Sequence, residues 1–219
     1  MITESFKSEE YLSSNVNHIE RAHMTYRINL NYTIDNELFS TLTDHMERLR
    51  DRYSDIIPLR MDFAYKSTSQ RFIDRYQDHW DMDMYRLAER VLRSGCVIGY
   101  AWVMEFTHQH GLHFHAVFYL NGQRKRNSYR SARVIAEEWQ NITHEAGIFD
   151  NCQKKIYHKV NGGRSLHHLD RKGYRDLAFI LSYLAKEEQK GMQDIKVCWV
   201  SDIPVRRAGG RPRSCASRR

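Results

Sequence analysis

Apolar positions recur along the chain with two periods, and the switch between them marks the elements. After Asp35, a suitable N-cap, Leu38, Phe39, Leu42, His45, Met46 and Leu49 fall at helical spacing, which predicts a helix through Arg50. Beyond Pro58 the period becomes two: Leu59, Met61, Phe63 and Tyr65 share one face of a predicted strand. A long helix is predicted from about Gln70 to Arg93, ending near Gly95. Strands follow over Ile98 to Thr107 and His113 to Leu120, joined by the short turn His108-Gln109-His110-Gly111, an antiparallel hairpin closed by Asn121-Gly122.

Tyr129 to Ala146 reads as a helix with Gly147 just past its end. A short strand over Lys155 to Val160, a Gly162-Gly163 loop, a helix from about Gly173 to Gln189 and a strand near Lys196 to Val200 complete the chain. The first 35 or so residues are polar and give no clear period. From residue 59 the order is β-α-β-β-α-β-α-β, which contains a split βαβ unit. The expected class is α+β, a ferredoxin-like antiparallel sheet with helices packed on one face. The expected domains are an N-terminal extension with one helix over 1–54, a main folded domain over 55–204 and a basic tail over 205–219.

Composition changes this picture little. The 219 residues are 41% hydrophobic and 28% charged, ordinary for a folded domain. Cys96, Cys152, Cys198 and Cys215 form no CxxC pair, which argues against a structural zinc site or a disulfide framework. No apolar run reaches the roughly 18 residues of a membrane span, and the N-terminus lacks a signal-peptide layout. The expectation is a soluble cytoplasmic protein with no membrane partner. The net charge of +7 is unevenly placed, because residues 205–219 hold Arg206, Arg207, Arg211, Arg213, Arg218 and Arg219 without an acid. Without these six, 28 basic residues face 27 acidic ones, so phosphate attraction by the body must be local and the tail is the candidate DNA-binding arm.

The hairpin carries the chemistry. Leu112, Phe114, Ala116, Phe118 and Leu120 are uniformly apolar, which places their face on the core and leaves His113 and His115 on the opposite, more open face. On the preceding strand Ile98, Tyr100, Trp102, Met104 and Phe106 alternate with Ala101, Val103 and Glu105. Paired positions in a hairpin sum to a nearly constant value, so Glu105 falls opposite His113 or His115 on their face. Two imidazoles and a carboxylate suit a divalent cation with open positions for phosphate and water. The same pattern also fits polar residues on a solvated sheet face, and His108 and His110 read as exposed turn histidines.

The C-terminal helix adds a second group. Leu177, Ile180, Leu181 and Leu184 form its buried stripe, and Tyr183 and Lys186 lie three apart, roughly 140° around the axis from it. A phenol beside an ammonium is a plausible nucleophile, since the charge favours phenolate. An amphipathic surface tyrosine is the alternative.

Together His113-Phe114-His115, Glu105 and Tyr183-x-x-Lys186 resemble the motifs of the HUH endonuclease superfamily. The nearest resemblance is to single-tyrosine rolling-circle replication initiators of the inovirus Gp2 and enterobacterial prophage type, over about residues 55–205. It implies Glu105, His113 and His115 as ligands of Mg2+ or Mn2+, Tyr183 as nucleophile and Lys186 as its catalytic partner. It further implies single-stranded DNA at a replication origin as substrate, a 5′-phosphotyrosine intermediate, and host polymerase and helicase as partners. Tyr174 lies nine residues before Tyr183, too far for a one-turn tyrosine pair, which points to a single nucleophile. A transposase or relaxase, a non-catalytic nucleic-acid-binding module and a metallohydrolase using water stay open as rivals.

Overall fold

The computed structural model describes residues 18–21, 24–73, 81–107, 111–154, 163–187 and 197–204. It is an α+β protein built on an open antiparallel sheet. In chain order the elements are β1 (His18–Arg21), β2 (Met24–Arg27), α1 (Asn36–Arg52), β3 (Asp55–Tyr65), α2 (Gln70–Ile73), α3 (Met82–Arg93), β4 (Gly99–Thr107), β5 (Gly111–Asn121), α4 (Tyr129–Thr143), β6 (Gly147–Asn151), β7 (Leu166–His167), α5 (Arg171–Leu184) and β8 (Cys198–Val200). β1 and β2 form a separate two-stranded ribbon, while the main sheet runs β6-β3-β5-β4-β8 with β7 beside β6 on the β3 edge.

Register follows from which side chains must be buried. β3 and β5 pair from Ile56 opposite Asn121 to Ala64 opposite His113. β4 and β5 pair from Gly99 opposite Tyr119 to Thr107 opposite Gly111. Met61, Phe63, Trp102, Phe114, Ala116 and Phe118 thereby share one face, under Leu87 and Val91 of α3 and Ile135 and Trp139 of α4. A slip by one residue would turn this apolar set outward.

The expectation of helices on one face is corrected by the structure. Ala101, Val103, Val117 and Tyr119 on the other face are as apolar as the first set, and an uncovered sheet of that kind would waste their burial. α1 and α5 cover them with Leu42, Met46, Leu49, Leu177 and Leu181, so the sheet lies between two helical layers. The N-cap of α1 is Asp35, whose Oδ1 accepts from Leu38 N at 2.9 Å, and α1 shares a single core with α5.

Several boundaries differ from those the pattern predicts. α4 ends at Thr143, with His144 and Glu145 in the left-handed region, so the terminating role expected of Gly147 falls to them. Gly147 instead opens β6, where a Cβ would collide with Trp139 Nε1; the close approach of the indole demands glycine. Of the predicted 70–93 helix, Gln70–Ile73 and Met82–Arg93 are helical, and residues 74–80 lie outside the described residues. The strand expected over 155–160 also lies outside them, and β6 and β7 pair with β3. α5 stops at Leu184 rather than at Gln189, because residues 33–35 run along its end: Asp35 N donates to Ala185 O at 2.8 Å, and Glu187 N donates to Thr33 O at 2.9 Å. No helix among the described residues is long and apolar enough to cross a membrane.

Candidate metal and tyrosine site

On the face covered by α1 and α5, polar side chains replace the apolar ones toward one end of β3, β4 and β5. Glu105 stands directly opposite His113 in the β4–β5 ladder, and His115 follows two residues along. Glu105 Oε2 lies 3.2 Å from His113 Nε2 and 3.1 Å from His115 Nε2. The three ligand atoms fall within 4.8 Å of one another, and the group could hold a metal ion.

The donor set fits such an ion in two further respects. Neighbouring ligands of a six-coordinate ion with bonds of about 2.1 Å are about 3.0 Å apart, close to the spacings around Oε2. Each imidazole is also held by its other nitrogen. His115 Nδ1 faces Asp62 Oδ1 at 2.8 Å, and His113 Nδ1 lies 3.3 Å from the carbonyl oxygen of Gly111. An acceptor at Nδ1 places the proton there and leaves Nε2 to bind a cation, as in metal centres where a carboxylate or carbonyl orients the ligand histidine.

Asp62 and Arg60 were not singled out from sequence, although their signal was present. On β3 they occupy the positions between Leu59, Met61 and Phe63, which puts them on the histidine face; Asp62 pairs with His115 in the β3–β5 register. Arg60 Nη2 binds Asp62 Oδ2 at 3.2 Å. Burial alone would raise the carboxyl of Asp62, but the charges of His115 and Arg60 and the bond from His115 hold it well below the usual range. Burial likewise opposes ionisation of Glu105, and the bonds from His113 and His115 with the charges of His115 and Lys186 outweigh it. For His115 burial lowers the pKa while Asp62 and Glu105 raise it, and the two carboxylates prevail.

α5 delivers Tyr183 and Lys186 to the same place. Tyr183 is half-buried; its ring meets the His115 ring edge-on at 5.4 Å and the Tyr32 ring at 5.5 Å, and Arg60 lies over it at 4.4 Å. Lys186 sits just past the helix, in a bridge with Ile34 that carries its side chain back into the site. Its Nζ is 3.0 Å from Glu105 Oε2 and donates to Tyr183 Oη at 3.4 Å. Burial disfavours this ammonium, but Glu105 and then Tyr183 keep its pKa raised.

The structure therefore brings together Glu105, His113, His115, Tyr183 and Lys186. Tyr174 is fully buried on α5 under Arg50, with the guanidinium 4.7 Å from its ring, and is not displayed to a substrate. His108, His110 and the tail arginines Arg206, Arg207, Arg211 and Arg213 lie outside the described residues. Comparison with protein-family models, curated proteins and solved structures finds no match to this chain.

Proposed function

We propose that the chain is a metal-dependent nicking enzyme of the HUH type, which cuts single-stranded origin DNA through Tyr183 to start rolling-circle replication. One observation carries this reading: the Tyr183 hydroxyl and the Glu105-His113-His115 group share one ammonium, that of Lys186, within 3.4 Å. A tyrosine and a metal-ligand cluster with separate structural roles have no reason to be joined in this way. The strand order adds support. In the β3-α3-β4-β5-α4-β6 unit the first strand lies between the third and the fourth, the arrangement of a split βαβ ferredoxin-like sheet.

In this mechanism Glu105, His113 and His115 hold a Mg2+ or Mn2+ ion, with Asp62 and the Gly111 carbonyl fixing the imidazoles. When bound, the ion supplies Lewis-acid polarisation of the scissile phosphate and a template for it. Tyr183 Oη loses its proton to solvent and attacks phosphorus; the tyrosyl O–P bond forms as the P–O3′ bond breaks, and the departing 3′ oxygen takes up a proton. The products are a 5′-phosphotyrosine and a 3′-hydroxyl for a host polymerase to extend. Lys186 favours the phenolate, and Arg60 over the ring orients it for in-line attack.

The test is incubation with end-labelled single-stranded oligonucleotides and Mn2+, read on a denaturing gel. A denaturation-resistant adduct is expected with wild type and Tyr174→Phe and none with Tyr183→Phe, which keeps the ring and its packing. An adduct formed by Tyr183→Phe moves the nucleophile elsewhere. Cleavage by wild type with no adduct makes water the nucleophile and the chain a metallohydrolase.

A further inference from the structure

Lys186 stands on the oxygen that the two histidines face. Its Nζ lies 3.0 Å from Glu105 Oε2, and its side chain is only 5% exposed. The ring of Tyr183, at 4.5 Å, and that of Tyr32, at 5.6 Å, enclose the ammonium. The carboxylate of Glu105 and the hydroxyl of Tyr183 are therefore both within its reach. A divalent ion bonded to the same oxygen at about 2.1 Å would lie no more than about 5 Å from Nζ. Two cations at that separation, shielded from water and sharing one carboxylate oxygen, repel strongly.

We infer that Lys186 is a resident counter-cation of the metal site: in the metal-free protein it bridges Glu105 and Tyr183, and when an ion binds it leaves Glu105 and is held by Tyr183. Metal loading and preparation of the nucleophile are then one event. Without metal, Lys186 neutralises a buried carboxylate that would otherwise be costly to ionise. With metal, its charge is freed to act on the phenol oxygen one helical turn away. The ion is bound more weakly than the ligands alone would allow, in exchange for coupling to Tyr183. This inference rests on the metal and nucleophile roles proposed above and adds to them a competition within the chain itself.

The experiment is Mn2+ titration of the full-length protein without DNA, following free Mn2+ by electron paramagnetic resonance. Lys186→Met is expected to bind Mn2+ roughly tenfold more tightly than wild type because the competing charge is gone. Lys186→Arg should stay near wild type. Tyr183→Phe should bind several-fold more weakly, since the displaced ammonium loses its receiving hydroxyl. In nicking assays Lys186→Met should then need less Mn2+ for half-maximal rate while its kcat falls, a split that a merely structural lysine would not produce. Equal or weaker binding by folded Lys186→Met overturns the inference. Should that variant fail to fold with Glu105 uncompensated, Tyr183→Phe decides, and binding as tight as wild type overturns it. If wild type binds no Mn2+ that His115→Ala abolishes, the proposed function itself fails; if it does and Lys186→Met is no tighter, only the competition fails.

Discussion

Asp62→Asn isolates the part of the site that the strand pattern concealed. The substitution keeps the size of the side chain and an acceptor oxygen toward His115 Nδ1, now at 2.8 Å, but removes the charge. Crossing the imidazole, an ion on Nε2 would sit ~7 Å from that charge. At an effective dielectric of about 20, one negative charge acting on a divalent ion at this distance contributes ~5 kcal/mol, an upper limit. The side chain is 26% exposed and paired with Arg60, both of which screen it. The loss should therefore fall in the range known for groups that orient metal-bound histidines, roughly 10- to 100-fold in affinity. Mn2+ titration of both proteins, with metal-free thermal melts as a folding control, checks this. Asp62→Asn that melts like wild type and binds Mn2+ equally well would refute the claim that Asp62 fixes His115 as a ligand.

Further outcomes test other links. His45 is buried with its Nε2 3.1 Å from Ser201 O, and burial pushes its pKa down to about 4, against 6.5 for an ordinary histidine. The fold binds this neutral form, so the stability it contributes is present above about pH 6.5 and is lost as pH falls toward 4. Urea melts should show about 2 kcal/mol of the loss between pH 7.5 and pH 5 disappearing in His45→Gln, and an unchanged pH dependence would refute it. Gly147→Ala places a Cβ against Trp139 and should cost about 1–3 kcal/mol in denaturant melts; a neutral result would mean the indole moves freely. Removal of residues 205–219, with six arginines, should flatten the salt dependence of single-strand binding, by up to about 4 in the log–log slope, while adduct formation persists. An unchanged slope would exclude the tail as a phosphate-binding arm.

What the sequence could and could not convey follows from how locally each feature is determined. The β4–β5 hairpin was legible because a short connection and the alternation of the two strands restrict the register to Glu105 opposite His113 or His115, and the ladder takes the first of these, Glu105 opposite His113. The helix of Asp35 to Arg50 was legible because its cap and apolar stripe agree. The β1–β2 ribbon was not, since two four-residue strands offer too few positions to display a period. The helical cover on the second face was missed for a different reason. His113 and His115 suggested an open surface, yet Val117 and Tyr119 two and four residues further on belong to a buried one, so a single strand face is half site and half core. That division is what the chemistry requires. Lys186 is nearly buried and Glu105 wholly so, and their charges act at low dielectric only because α5 and the segment at residues 32–35 close over that end of the sheet. Arg60 and Asp62 belong to the same division from the β3 side, where two charged residues interrupt a strand whose other face is apolar and buried from Ile57 to Phe63. A polar pair on the hidden face of a buried strand is thus the sign to look for, and here it points to the same spot as the histidines and the tyrosine.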